Sequence, residues 1–290
     1  MAIDIRNGEF GRVVIDKDGN EIAYEPYGVA ALIIEKRKNI ETGLYSYKIA
    51  NANNHNKTTI IKVEELADKS LIMKKVFNIG CLFSPVHYNA FFESILLQEN
   101  NPQRFPRKQV FEYENPGWLI IPDTDILAYR SDTLIAKKNY GAEYVGKYLL
   151  EPAGDFNVWL EMIKSHIIGY TTLELTLLAA LSAIIIGILS LIMPVSNIIL
   201  SLASSTTSGK STMLNCCTSC FSKVADAPVR VNGQLKRSTL SSWNATDNGL
   251  LQQLSGNFGC NICIDERGCS SVSDVGKLIY AVANSSTKLR

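Results

Sequence analysis

The stretch Ser204-Ser205-Thr206-Thr207-Ser208-Gly209-Lys210-Ser211 decides the fold that this sequence predicts. It follows the G-x4-G-K-[ST] pattern of a phosphate-binding loop, except that Ser204 occupies the position of the first glycine. Small side chains let the backbone N–H groups surround a polyphosphate, and the N-terminus of the following helix adds a partial positive charge. Glycine adopts a positive φ at lower cost than serine, so Ser204 weakens the fit to the pattern, but serine is small enough to retain it.

The residue types in this loop predict an ATP site with a magnesium ion. Lys210 would reach the β- and γ-phosphates, and the Ser211 hydroxyl would ligate Mg²⁺. A chance Gly-Lys-Ser at the start of a helix is the alternative explanation of the pattern. The predicted nucleotide-binding residues are Ser205, Thr206, Thr207, Ser208, Gly209, Lys210, Ser211 and Thr212.

An acidic motif follows the loop at a spacing that fits a nucleotide site. Residues 260–264 form a mostly apolar run that ends in Asp265 and Glu266, about 55 residues after Lys210. At the carboxyl end of a strand, Asp265 would hold the Mg²⁺ shell and Glu266 would polarise the attacking water as a general base. An ordinary strand that runs into an acidic turn is the alternative. Because the two motifs occur together, we expect a catalytic site in which Lys210 and Glu266 act on bound ATP.

The segments around these motifs predict an α/β domain with a parallel sheet, because strands alternate with helices. An apolar helix over residues 173–193 ends at Pro194, and a buried strand is expected at 197–203. The remaining predicted elements are helices at 210–221, 246–254 and 275–283, and a second buried strand at 259–264. The sequence therefore predicts a P-loop NTPase domain over residues 151–290.

The preceding residues 1–150 predict a separate α+β domain. Lys17-Asp18-Gly19-Asn20 is a hairpin turn signal between two apolar runs. Strand-like runs at 29–34, 44–49 and 58–63 are followed by segments with helical spacing at 64–78 and 86–98. We expect the domain boundary near residues 148–156.

The composition excludes two broad classes of protein. Apolar residues make up 46% of the chain and the formal net charge is +1, so neither a disordered chain nor one that coats nucleic acid uniformly is expected. Seven cysteines and the absence of an apolar leader fit a reducing cytoplasm. Residues 175–209 carry no charged side chain.

Several patterns have a plainer explanation than the function they suggest. The pairs Cys217/Cys220 and Cys260/Cys263 have zinc-like spacing, but the second pair lies on a predicted strand, so we expect buried packing residues.

Residues 175–193 are long enough to span a bilayer, yet they lack flanking Lys/Arg bias and an aromatic belt, so we expect a core helix beneath the sheet. The short basic clusters are more often solvated surfaces than DNA contacts. Among them, Lys236-Arg237 is the strongest candidate for a DNA contact because it lies between the two nucleotide motifs.

Further motifs carry a resemblance to a known family. They are Gly117-Trp118 followed by Ile121-Pro122-Asp123, Gly154-Asp155-Phe156 leading to Trp159, Trp243-Asn244-Ala245-Thr246 with Asn248-Gly249-Leu250, Ile264-Asp265-Glu266, and Leu278-Ile279-Tyr280 with Ala283-Asn284. With these motifs the chain resembles the domain of unknown function 927 family of phage, plasmid and mobile-element proteins, which includes the MCM-like cassette helicases of staphylococci. The resemblance covers most of residues 25–290.

The resemblance implies an AAA+-like ATPase that acts in a ring helicase of mobile-element or phage DNA replication. It implies DNA and further copies of the chain, as in a hexamer, as partners. The two motifs predict ATP and Mg²⁺ as cofactors, and the cysteine usage and the flanks of residues 175–193 predict a cytoplasmic location without a membrane. Family members continue with a sensor residue, an arginine finger and further strands, so we expect the ATPase domain here to be incomplete. The alternatives are a non-hydrolysing nucleotide-binding or interaction module and a membrane-anchored ATPase.

Overall fold

The turn at Lys17–Asn20 joins two antiparallel strands, as the sequence predicts. The Asp16 carboxylate accepts hydrogen bonds from the N–H groups of Asp18 and Asn20 at 2.9 and 2.8 Å. Gly19 has a φ of +87°, which favours glycine at this turn. The three strands of this antiparallel sheet are β1 (Ala2–Arg6), β2 (Glu9–Ile15) and β3 (Glu21–Val29).

A second sheet supports the main hydrophobic core of the N-terminal part. Three of its strands are antiparallel: β4 (Ala31–Asn39), β5 (Tyr45–Asn51) and β6 (Asn54–Lys62). A fourth, β7 (Lys108–Tyr113), runs parallel to β4. Helices α1 (Lys69–Asn78) and α2 (Tyr88–Asn100) cover this sheet. The core is formed by apolar side chains from both layers, including Ile33, Ile49, Ile61, Ile72, Val76, Phe91 and Ile95.

The structure is a computed structural model, and it describes residues 2–195, 197–203, 208–231, 234–243, 247–265 and 275–283. Four residues predicted to act on ATP lie outside these ranges, namely Ser205, Thr206, Thr207 and Glu266. The chain divides into two compact units, residues 1–112 and 113–290. Each unit is described by itself.

The second unit begins with a small antiparallel sheet of β8 (Gly117–Ile120), β9 (Leu127–Arg130) and β10 (Leu134–Ala136), followed by the short β11 (Glu143–Tyr144). Its helices are α3 (Phe156–His166), α4 (Thr171–Leu189), α5 (Lys210–Ser219), α6 (Asp247–Leu254) and α7 (Val275–Ala283). Its later strands are β12 (Val229–Val231), β13 (Gln234–Lys236), β14 (Leu240–Ser242) and β15 (Cys263–Asp265).

The division between the units falls earlier than the domain boundary predicted near residues 148–156. Residues after Glu112 make hydrogen bonds deep within the second unit. Lys147 Nζ donates to Gln252 O at 2.7 Å, and Leu149 N donates to Arg237 O at 2.7 Å. These contacts attach residues 113–150 to the second unit, whereas the predicted boundary between folding domains stays a prediction.

The predicted parallel sheet is present only as one pair in the described part of the second unit. β14 and β15 are parallel, with Ser242 opposite Asp265, whereas β12 and β13 form an antiparallel hairpin. The strand predicted at 197–203 is wrong for these residues, which form no strand, and Ile198 is 67% exposed. A strand requires a neighbour to take its backbone hydrogen bonds, and no described strand pairs with this segment.

Helix α4 confirms the predicted apolar helix but not its full burial. It ends at Leu189, before the predicted end at Pro194. One side is buried, including Leu177 and Ala180, whereas Leu178 and Ile185 on the other side are each 61% exposed. Among the described residues, this is the one helix long and apolar enough to cross a membrane by length and composition. The expectation of a core helix therefore holds for one face only.

Candidate nucleotide-binding site

Helix α5 begins directly after Gly209, at the place that the phosphate-loop pattern predicts. Gly209 has a φ of +80° in the left-handed region, where a residue with a Cβ is strained. A Cβ at this position would meet no atom of the described residues within 4 Å, so among them the backbone conformation and not space calls for glycine. Met213 N donates to Gly209 O at 2.9 Å, which closes the first turn of α5. The N–H groups before Met213 in that turn take no part in the i→i−4 hydrogen bonds of the helix. The start of a helix is therefore suited to binding an anion.

The side chains around the start of α5 suit a polar ligand. Ser208, Ser211 and Thr212 are exposed, and Lys210 is half-buried. Lys210 Nζ lies 3.4 Å from Ser208 Oγ, so the ammonium group turns back toward the loop. The predicted phosphate-binding residues that the structure describes are therefore adjacent and accessible.

The opposite side of α5 holds the helix on the rest of the unit. Met213, Cys216 and Cys217 are buried against Leu177 and Ala180 of α4, in a cluster that also contains Cys263 of β15. The alternation of exposed and buried positions follows the helical period, so one face of α5 packs while its N-terminus stays open.

Polar contacts join α5 to the segment that leads into β15. Asn261 Nδ2 donates to Cys217 O at 3.1 Å, and Cys217 Sγ lies 3.7 Å from Thr176 O on α4. The helix that begins with Lys210 is thus seated on the strand that ends with Asp265.

Asp265 occupies the carboxyl end of β15, where the acidic motif predicts it. Its carbonyl accepts a hydrogen bond from Trp243 N at 3.0 Å, and its side chain is half-buried. No group of three or more His, Cys, Asp or Glu side chains in the described ranges could hold a metal. Mg²⁺ usually takes one or two carboxylates together with phosphate oxygens and water, so Asp265 with the Ser211 hydroxyl fits that donor set. Glu266, the predicted base, lies outside the described residues.

The cysteines have the properties of packing residues. Cys217 and Cys263 are 3% and 7% exposed. Burial raises the pKa of the Cys217 and Cys220 thiols to about 12, whereas a zinc ligand must be a thiolate. The buried packing role predicted for Cys217, Cys260 and Cys263 is supported by this geometry.

The two residues of the basic pair Lys236-Arg237 differ in their exposure to solvent. Lys236 is 7% exposed, and its ammonium group lies 4.9 Å from the centre of the Tyr144 ring. Arg237 is exposed. Of this candidate pair for a DNA contact, Arg237 alone is accessible, because the strand alternation turns its neighbour inward.

A junction that the sequence did not predict joins β8 and β9 to the elements of this site. The Trp118 indole N–H donates to Ile184 O in α4 at 2.8 Å, and the Tyr129 hydroxyl donates to Gly259 O at 3.1 Å. The Gly117-Trp118 pair was the available signal, since it marks the family resemblance without a predicted role.

Comparisons with known proteins agree with the motifs. Residues 15–290 match the family described as Domain of unknown function (DUF927). The fold is similar to a solved structure titled "SCCmec type IV Cch - active helicase", with a TM-score of 0.63 and 21% sequence identity, over 97% of this chain and 50% of that chain. The chain therefore spans about half the length of that protein. The curated proteins contain no match.

Proposed function

Because the chain belongs to the DUF927 family, we propose that it is an ATP-binding and ATP-hydrolysing P-loop ATPase of a ring helicase for mobile-element or phage DNA. One observation carries the proposal. Gly209, in the left-handed conformation, places Lys210 and Ser211 at the open N-terminus of a helix that packs on the strand ending in Asp265. The similarity in fold to a structure titled an active helicase supports the same conclusion.

Each residue of the proposed site has a distinct role. The loop N–H groups and Lys210 bind the phosphates of ATP, while the hydroxyl of Ser211 and the carboxylate of Asp265 hold Mg²⁺. The bound ion neutralises charge on the phosphate oxygens. Glu266, next to Asp265 in the sequence, accepts a proton from the attacking water.

We propose partners and a location as well. In this proposal the helicase binds DNA, assembles as a homo-oligomer and acts in the cytoplasm. In the described part of the second unit, Arg237 is an exposed cation that fits a phosphate contact with DNA.

Titration with a fluorescent ATP analogue in the presence of Mg²⁺ tests the proposal. Lys210→Ala removes a charge-assisted hydrogen bond to phosphate, so we expect affinity to fall about 10- to 100-fold. Lys223→Ala is the matched control, because Lys223 is an exposed lysine of the same unit just beyond α5. Equal affinity of wild type and Lys210→Ala would show that the loop does not bind phosphate.

Turnover separates hydrolysis from binding. Glu266→Gln keeps the shape of the side chain but lowers its basicity, so we expect nucleotide binding to persist while phosphate release stops.

A second candidate function is a nucleotide-binding module without hydrolysis. The serine at position 204, where the pattern has glycine, favours this candidate. Mg²⁺-dependent binding without phosphate release in the wild-type protein would identify it.

A further inference from the structure

One face of helix α4 contacts both α5 and the segment that leads into β15. In its first half, Leu177 and Ala180 share one buried cluster with Met213 and Cys217 of α5, and Thr176 O lies 3.7 Å from Cys217 Sγ. In its second half, Gly187 lies against Gly259, which precedes β15. The two contacts belong to one uninterrupted helix of 19 residues, so α4 sets the spacing between α5 and the start of β15.

The contact between Gly187 and Gly259 leaves no space for larger residues. A Cβ on Gly187 would lie 2.5 Å from Gly259 Cα. A Cβ on Gly259 would lie 3.0 Å from Trp118 Cδ1, and Gly259 has a φ of +114°. The backbone that leads into β15 is therefore pressed directly onto α4.

Trp118 holds the two sides of this contact together, because it forms hydrogen bonds both to α4 and to the residue before Gly259. Its indole N–H donates to Ile184 O on α4 at 2.8 Å, and its backbone N–H donates to Phe258 O at 2.6 Å. Tyr129 stacks edge-on against Trp118, with ring centres 5.0 Å apart, and its hydroxyl donates to Gly259 O at 3.1 Å.

The segment that carries Trp118 is itself fixed by a buried cation. Arg130 is 2% exposed, and its Nε donates to Gly117 O at 2.9 Å while its Nη2 donates to Trp118 O at 3.0 Å. Hydrogen bonds from a charged donor are stronger than neutral ones, so Trp118 is held rigidly on both sides.

We propose that Trp118 is a positioning residue of the nucleotide site. It clamps Phe258-Gly259 to α4, so that β15 presents Asp265 at a fixed distance from Lys210 on α5. The inference rests on the proposed ATP site and assigns to the Gly117-Trp118 motif the task of aligning the acidic motif with the phosphate loop. Lys210 and the loop do not depend on this clamp, whereas the metal-binding geometry of Asp265 does.

Affinity for a fluorescent ATP analogue, measured with Mg²⁺ and with EDTA, tests the proposal on the full chain. Trp118→Phe keeps an aromatic ring but removes the indole donor. We expect the gain in affinity that Mg²⁺ provides to fall at least about fivefold, with metal-free affinity changed by less than about twofold. Trp159→Phe is the matched control, because it removes an indole hydrogen bond of 2.8 Å in the same unit that ends on Ser219 Oγ of α5 and not on α4 or residues 258–259.

Tyr129→Phe provides a milder variant, since it keeps the ring and loses only the hydroxyl bond to Gly259 O. We expect the same selective loss of the Mg²⁺ effect, and this variant decides the question if Trp118→Phe does not fold. Equal losses with Mg²⁺ and with EDTA, or no loss in either, would overturn the proposal.

Hydrogen exchange without nucleotide separates this proposal from the proposed ATPase function. We expect amides at 260–265 to exchange about fivefold faster in Trp118→Phe than in Trp159→Phe, because the base of β15 is no longer clamped. If wild-type protein binds no nucleotide, the ATPase proposal is wrong. Unchanged exchange at 260–265 in Trp118→Phe would then overturn the positioning role independently.

Discussion

Gly209 and the cysteines on the buried face of α5 have different roles. Gly209 serves the proposed nucleotide binding, and the cysteines serve packing. The open N-terminus of α5 depends on one left-handed backbone position, while the buried face of the same helix depends on small thiol side chains. The start of α5 directly after Gly209 was predictable because its sequence pattern is local, whereas the phosphate-binding role of the loop stays a prediction. The contact between Cys217 and Thr176 was not predictable, because it joins residues far apart in the sequence.

Gly209→Ala tests the backbone requirement. A left-handed alanine costs about 1–2 kcal/mol, so we expect affinity for the ATP analogue to fall about tenfold. Gly154→Ala is the control, because Gly154 has a φ of +87° and a Cβ there also meets no atom within 4 Å. Both variants should lower thermal stability to a similar extent, whereas a similar loss of affinity in both would assign the effect to general destabilisation.

Cys217 tests the packing role through pH. Burial raises the pKa of its thiol from 9.0 to about 12, so the folded protein retains a proton that the unfolded chain releases above pH 9. The contribution to the free energy of unfolding is complete below pH 9, and it declines by up to about 1.4 kcal/mol per pH unit as the pH rises from 9 toward 12.

Alkylation of the native protein with iodoacetamide, mapped by mass spectrometry, gives the direct measurement for this thiol. We expect little modification of Cys217 at pH 8 until denaturant is added. Rapid native modification at pH 8 would contradict a buried, protonated thiol.

Individual elements were predictable where their signals are local. The hairpin turn at Lys17–Asn20 and helix α7 both form where the sequence predicts them. Residues 197–203 have the composition of a strand but form none, because pairing depends on partners that a local pattern does not specify. Helix α4 was predictable in type, yet which of its apolar residues pack could be learned only from the structure.

Two adjacent leucines of α4 test its packing. Leu177 is 7% exposed and Leu178 is 61% exposed. Leu177→Ala removes core contacts with α5, so we expect the free energy of unfolding in urea to fall by about 2–5 kcal/mol. Leu178→Ala should change it by less than about 0.5 kcal/mol. Equal effects would mean that the exposed face of α4 is also covered in solution.

At the scale of the whole molecule, the proposed nucleotide site lies in one compact unit, and a buried ion pair lies in the other. In the first unit, Arg37 is 5% exposed, and its Nε lies 2.6 Å from the Glu112 carboxylate. The proposed phosphate loop and Asp265 both lie in the second unit, as do α4 and Trp118. The even overall charge of the sequence did not reveal this division, which follows from tertiary contacts.

Calorimetry of the full chain tests the division. MgATP at 100 times its Kd should stabilise the transition of the second unit by about 2.7 kcal/mol and leave that of the first unit unchanged. Arg37→Met leaves the Glu112 carboxylate without its buried partner, so it should destabilise the first unit by about 3–5 kcal/mol without changing nucleotide affinity. A shift of both transitions by MgATP would contradict the assignment of the site to the second unit.

The contact between Gly187 and Gly259 has a consequence for how the sequence can change over time. Each position already has the smallest side chain, so a larger residue at one cannot be offset by a smaller residue at the other. In an ordinary pair of core residues, a larger side chain at one position can be compensated by a smaller one at the other. This pair cannot change in that way, because neither glycine can become smaller. Natural variants of this chain should therefore keep both glycines, or lose both only where the segment before β15 has moved away from α4.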